Sequence, residues 1–133
     1  MNGPPDNFVR IALIFALGGL GALSRYGLGG YIQRLFGGTF PVGTVVVNLI
    51  GCLLFAFVST LAVERRFISH ETQLVVLTGF MGAFTTFSTF AYDTHVLIHT
   101  DGWDWGLLNV GVQCIGGLLA VAVGIMLGRY MPA

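Results

Sequence analysis

The run Gly79-Phe-Met-Gly-Ala-Phe-Thr-Thr-Phe-Ser-Thr-Phe90 decides how this chain is read. It sits inside an apolar span, yet it carries two glycines and four hydroxyls that a plain membrane helix does not need. Lipid offers no hydrogen bonds, so irregular backbone at membrane depth survives only where protein buries it or a cavity hydrates it. A helix broken at mid-membrane exposes carbonyls and amides able to hold ions, a device of many transport proteins. The segment therefore points to passage of an ion or solute rather than to a passive anchor.

The chain around it is of one kind. Of its 133 residues, 55% are hydrophobic and 9% charged, and its mean hydropathy is +0.83. A soluble domain carries roughly 25% charged residues, so this is an integral membrane protein. About 20 helical residues cross the hydrocarbon core, and four apolar spans fit, at roughly 8–33, 42–63, 72–98 and 107–128. The expected fold is all-α, with the third of four transmembrane helices broken mid-membrane. Residues 1–133 then form a single integral membrane domain with short loops and no room for a catalytic module, so no enzyme is expected. Residues 1–7 read as a polar N-terminal tail; Arg10 lies inside the first apolar run, which is not a signal-peptide layout. Gly37-Gly38-Thr-Phe-Pro41 reads as a turn before the second span.

Net charge is zero and all six basic residues are arginine. That excludes a polybasic nucleic-acid surface and lysine Schiff-base chemistry. With four spans, Arg10, Arg65, Arg66 and Arg129 fall on one side and Arg34, with the deeper Arg25, on the other; the positive-inside rule places both termini in the cytoplasm. Cys52 and Cys114 each lie within a span and read as packing residues. Gly124-Ile-Met-Leu-Gly128 is a small-xxx-small pair that lets helices approach closely.

Intramembrane polar residues are costly, so they map function better than apolar ones. Arg25, late in span one, either snorkels to the interface or makes an electropositive vestibule. Thr44 and Asn48 in span two stand at i, i+4 and share a face, and Asn109 and Gln113 in span four repeat that spacing. As interhelical glue each such bond is worth only about 0.6 kcal/mol. Yet all of these groups, with 87–93 of span three, fall in the membrane half nearest the 34–41 and 99–106 loops. Four helices thus assemble one polar wall. Gly79 and Gly82 weaken span three, and Thr85 and Thr86 replace lost backbone bonds with hydroxyls. From Thr85 to His95, eight of eleven residues carry a hydroxyl or an ionisable group. Phe87 and Phe90 share a face, either as core packing or with their electropositive rims along a polar path. Asp93 is expected to bond a neighbour among Tyr92, Thr94 and His95, or to tune access. Ser88, Asp93 and His95 share one short helix with no oxyanion donor and make no triad.

At these residues the chain resembles the CrcB/Fluc family of fluoride channels. The resemblance spans nearly the whole sequence and rests on Gly18-Gly-Leu-Gly-Ala-Leu-Ser-Arg-Tyr26, Gly43-Thr-Val-Val-Val-Asn-Leu-Ile-Gly51 and the 79–90 run. It implies a four-helix subunit paired with an inverted copy of itself, an antiparallel homodimer of dual topology in the cell membrane. It also implies two narrow fluoride paths and a structural sodium ion at the dimer centre. The sodium ligands would be the backbone carbonyls of Gly82 and Thr85. The pore phenylalanines would be Phe87 and Phe90, the second-helix asparagine Asn48 and the vestibule arginine Arg25. Thr86 and Thr89 would belong to the hydroxyl track. Asp93 stands where many members have glutamate, and Asn109 and Gln113 stand where many have tyrosine and serine.

The residues point to passive passage of an ion, and the resemblance implies that the ion is fluoride, exported from the cytoplasm to relieve fluoride toxicity. The alternative is a proton-coupled fluoride exporter. Span one contains no acid for such coupling, which leaves Glu71 and Asp93 near the ends of span three. A purely structural membrane subunit is the third possibility, and the polar wall argues against it.

Overall fold

A computed structural model describes residues 7–132. Most of the expected polar tail, residues 1–6, lies outside the described residues, and Asn7 already opens the first helix. The order is α1 (Asn7–Phe36), α2 (Val42–Val63), α3 (His70–Val75), a π-helical stretch (Val76–Met81), α4 (Gly82–Phe84), α5 (Phe87–Thr100) and α6 (Trp103–Tyr130). Four stretches among the described residues are long and apolar enough to cross a membrane: Asn7–Phe36, Val42–Val63, His70–Thr100 and Trp103–Tyr130. They coincide with the four expected spans, with longer ends. At 1.5 Å per residue, α1 is about 45 Å long, more than a bilayer's hydrocarbon thickness, so tilt or interfacial extension absorbs the surplus.

Contacts between the ends fix an up-down-up-down course. At one end Arg10 Nη2 donates to Glu71 Oε1 at 2.9 Å, tying the start of α1 to α3. There too Arg129 donates to both carboxylate oxygens of Glu64, at 2.7 and 2.9 Å, tying the end of α6 to the end of α2. That bond from Arg129 holds the Glu64 carboxyl below its ordinary range. At the other end Thr39 Oγ1 donates to Asp101 Oδ1 at 3.4 Å, and Phe40 and Trp105 sit with ring centroids 6.0 Å apart. Gly37 and Gly38 both take positive φ, which lets the chain reverse between α1 and α2. Gln33 braces that turn, donating to the Phe40 carbonyl at 3.1 Å and accepting from Gly43 N at 3.0 Å.

Helix α2 is the centre of the bundle. Its most extensive partner is α6, while α1 packs on the π-helical stretch and on α2. The α2–α6 seam is close because Gly124 and Gly128 are buried against α2, at the Leu53 carbonyl and the Thr60 side chain. The Gly124-to-Gly128 spacing therefore serves a contact inside one chain. A small core of Val45, Val47, Ala56, Leu61, Val75, Met81, Phe84 and Leu97 is fully buried. Large apolar side chains such as Phe15, Leu23, Leu118 and Met126 point outward. That distribution suits a chain whose solvent is lipid, since hydrocarbon tails are as apolar as leucine.

Candidate functional site

Between α4 and α5 the helical backbone gives way to two extended residues. Thr85 has φ −88° and ψ 159°, and Thr86 has φ −149° and ψ 115°. Ending α4 there strands carbonyls that a continuous helix would satisfy, and side chains take them over. Thr85 returns both its N–H and its Oγ1 to the Met81 carbonyl, each at 3.1 Å. Arg25 Nε crosses from α1 to donate to the Ala83 carbonyl at 3.1 Å. A guanidinium at the C-terminal end of a helix also meets the negative end of its dipole. On the far side Thr86 caps α5: its Oγ1 accepts from Thr89 N at 3.2 Å and lies 2.9 Å from Thr89 Oγ1.

Asn48 closes the gap from α2. Its Oδ1 accepts from Thr86 N at 2.9 Å and its Nδ2 donates to the Thr86 carbonyl at 3.1 Å, so one amide satisfies both backbone groups of an extended residue. Gly51, one turn further along α2, makes the approach possible: a Cβ there would collide with the Thr85 side chain. The Thr86 N–H is the group that would reach the Gly82 carbonyl in an unbroken helix. Because it is engaged by Asn48, and Thr89 N by Thr86 Oγ1, the Gly82 and Thr85 carbonyls are both deprived of their usual helical donors.

From Asn48 the polar contacts run on as a chain. Asn48 Nδ2 donates to Gln113 Oε1 at 2.7 Å, Gln113 Nε2 to Asn109 Oδ1 at 3.0 Å, and Asn109 Nδ2 to Thr94 Oγ1 at 2.8 Å. Thr94 ends the chain on the Phe90 carbonyl at 2.8 Å. Asn109 is buried and Asn48 and Gln113 half-buried, and leaving a buried amide unpaired costs about 1–3 kcal/mol. The chain fixes α2, the break, α5 and α6 relative to one another.

Two cavities flank the break and share Thr86. One, of about 430 Å³, is lined by Arg25, Gln33, Arg34, Thr44, Thr89 and Asp93 among others. The other, of about 370 Å³, carries Asn48, Thr85, Phe87, Phe90 and Gln113. Phe87 and Phe90 meet edge to face, with ring centroids 5.6 Å apart and 61° between planes, and Phe87 is 79% exposed.

The structure thus brings Arg25, Thr44, Thr86 and Thr89 to the first cavity, and Asn48, Phe87, Phe90, Gln113 and Thr85 to the second. Asn109 lines neither: it is 0% exposed, and its place is to hold Gln113 and Thr94. Asp93 bonds none of its expected neighbours on α5; its Oδ2 accepts from Thr44 Oγ1 of α2 at 2.8 Å. Arg25 does not simply snorkel, since its Nε is committed to the break. Gln33 was not singled out in the sequence, and Thr94 only as a neighbour of Asp93. The contact Thr94 makes with Asn109 has no signal there, because Asn109 lies 15 residues on, across a helix turnaround. His95 and His99 form an exposed pair on α5, their rings tilted at 59° with centroids 4.3 Å apart.

The family model described as "CrcB-like protein, Camphor Resistance (CrcB)" matches residues 12–125. The chain belongs to the CrcB family. Relatives within it are similar along almost their whole length. A protein of Maridesulfovibrio salexigens is 47% identical over 118 residues, covering 89% of this chain and 94% of its own. One from Nitratidesulfovibrio vulgaris is 44% identical over 122 residues, covering 92% and 98%. One from Chloroflexus aurantiacus is 40% identical over 125 residues, covering 94% and 97%. All three bear the name fluoride-specific ion channel FluC. With four membrane-capable helices, this CrcB protein is a multi-pass protein of the cell membrane.

Proposed function

We propose that this protein is a fluoride-selective channel that lets fluoride leave the cytoplasm passively, and that it works as an antiparallel dimer. The relatives' shared name supplies the ion. The observation that carries the mechanism is the amide and hydroxyl network of Asn48, Gln113, Thr86 and Thr89 beside the Phe87–Phe90 pair. Fluoride is small and strongly hydrated, and giving up its water is costly. Both Asn48 Nδ2 protons are committed, so the second Gln113 Nε2 proton and the Thr89 hydroxyl, with electropositive ring rims beside them, are the donors that would replace part of that water, and Asn48 holds them in place. Asn109, from behind, keeps the Gln113 amide turned towards Asn48. Arg25 and Arg34 give the neighbouring cavity a positive field that concentrates anions.

The dimer follows from where these groups lie. The amides and the first cavity belong to one subunit and lie between the break and the 37–41 and 101–102 turns. An inverted second copy would contribute the same groups to the other half, completing a path across the membrane. The exposed Phe87 and the apolar outer faces of the helices are surfaces such a partner would cover. On this reading the interruption at Thr85 and Thr86 lies near mid-membrane.

The Gly82 and Thr85 carbonyls suit a structural sodium ion at the dimer centre: hard oxygens deprived of their N–H partners at a helix end fit a hard cation. Sodium would supply positive charge there that holds the two breaks together. Proton coupling has less to stand on. Glu71 is paired with Arg10 and the first span carries no acid, which leaves Asp93, hydrogen-bonded by Thr44, as the one acid a coupled mechanism could use.

Fluoride efflux from liposomes, followed with a fluoride electrode and with chloride as control, tests the proposal. Rapid fluoride loss with chloride retained is expected. Saturable efflux that requires a proton gradient would transfer the protein to the coupled exporters.

A further inference from the structure

Two thiols stand outside the polar network. Cys52 on α2 and Cys114 on α6 come from different helices, yet both line the cavity that holds Asn48, Phe87, Phe90 and Gln113. Both are free thiols; Cys114 is exposed and Cys52 half-buried. Cys52 Sγ lies against α6 at Gly117, within 3.5 Å of where a Cβ would stand. Cys114 is three residues before Gly117 and so on the same face of α6. The two sulfurs therefore flank one stretch of the α2–α6 seam, beside the amides. Cys52 thus touches the helix–helix contact, and both cysteines also form part of the cavity wall.

We propose that Cys52 and Cys114 form a modification site at which small thiol-directed electrophiles obstruct the anion path. The proposal rests on the reading of this cavity as that path. The thiolate is the reacting form. Its sulfur attacks the sulfenyl sulfur of an alkyl methanethiosulfonate, an S–S bond forms, and the S–SO2 bond breaks. Methanesulfinate leaves with the bonding pair, and the thiol proton passes to water. The product is a mixed disulfide that dithiothreitol removes by exchange. The attached group projects into the space beside Phe87, Phe90 and Gln113. Its effect is steric, so it grows with the size of the group.

The test uses the full protein in liposomes, treated in turn with methyl and benzyl methanethiosulfonate. Two readouts are taken: intact mass, which counts adducts, and fluoride efflux. Adducts at both cysteines of the folded protein are expected. Efflux should fall modestly with the methyl group and by about tenfold with the benzyl group, as for an obstructed narrow pore, and return with dithiothreitol. In C52A/C114A the ratio of treated to untreated efflux should stay at one. Full adduct formation with unchanged efflux would overturn the proposal. So would a folded protein that takes no adduct when the unfolded chain takes both. A protein that takes both adducts but never conducted fluoride would overturn the channel reading alone, the modification site standing on the mass data.

Discussion

Asn48 is the residue on which most depends, because one side chain satisfies two backbone groups and a neighbouring amide at once. In Asn48→Asp, Nδ2 is replaced by an oxygen that faces two acceptors, the Thr86 carbonyl and Gln113 Oε1. Losing those donations and adding a negative charge should lower fluoride efflux by at least about tenfold, since one unmet buried group costs about 1–3 kcal/mol. Efflux from liposomes measures it; normal conduction would count against Asn48 as part of the path. Phe90→Ile keeps apolar character and most of the volume but removes the ring rim. It should leave the elution volume on size-exclusion chromatography unchanged while reducing efflux, a split that a packing role alone does not produce. Asn109→Leu separates two roles in the opposite sense. Asn109 lines no cavity, so its loss should first lower thermal stability, by about 1–3 kcal/mol for the stranded Gln113 and Thr94 groups. Its effect on efflux should come through Gln113. Sequence spacing read Asn48, Gln113 and Asn109 as equivalent wall residues. Only the packing of α5 on α6, with Thr94 filling the last position, distinguishes the residue behind the wall from those on it.

At the level of elements, the third span was legible in outline. The sequence expected irregular backbone from two glycines followed by threonines; the structure has extended backbone at Thr85 and Thr86, and their place as a mid-membrane break belongs to the proposed assembly. The π-helical stretch at Val76–Met81 was not legible, because no local residue code specifies a π turn; it reflects how that segment packs on α1. The partner of Asp93 was missed for a related reason: residue spacing sees its own helix, while Thr44 comes from another. The place of Gly51 against Thr85 is likewise a fact of packing, and it yields a two-step test. Gly51→Ala sets a methyl against Thr85 Cγ2 and should destabilise the protein by about 1–3 kcal/mol through overpacking. Thr85→Ser removes that same Cγ2. The double variant G51A/T85S should therefore recover part of the lost melting temperature, a non-additivity expected only of residues in contact. Strict additivity would show that the break is not seated on Gly51. At the far end, Arg129 lowers the Glu64 pKa, so this pair stabilises above the ordinary carboxyl range and the gain is lost as pH falls through the lowered value. Both groups are exposed, so the melting difference between the parent and Glu64→Gln should be small, present at neutral pH, and erased by acid or by salt.

For the whole molecule the open matter is orientation, because an antiparallel dimer made from one chain needs that chain inserted both ways. The arginines lean one way: Arg10, Arg65, Arg66 and Arg129 lie towards the termini, against Arg34 and the deeper Arg25. Arg10 and Arg129 are paired with Glu71 and Glu64. Orientation responds to the count of basic residues near span ends and little to acids, so these pairs do not cancel the lean. Arg25 is drawn inward to the Ala83 carbonyl, which leaves Arg34 as the main counterweight. On the proposed antiparallel assembly dual insertion is nonetheless the expected outcome, for a half-path in each subunit would have no use without its inverse. Single cysteines at Thr39 and at His70, each in the C52A/C114A background, address opposite ends of the bundle and leave every arginine in place. Whole cells treated with a membrane-impermeant maleimide should label both, each in part, because each end faces outward in a fraction of the molecules. Labelling of Thr39→Cys alone would mean that four arginines fix the termini in the cytoplasm. In that case Arg65→Asn with Arg66→Asn, which evens the count, should restore labelling at both ends and raise fluoride efflux together. A chain that stays in one orientation and still conducts would require an inverted partner from another gene product, and the homodimer would be the part of the proposal to fall.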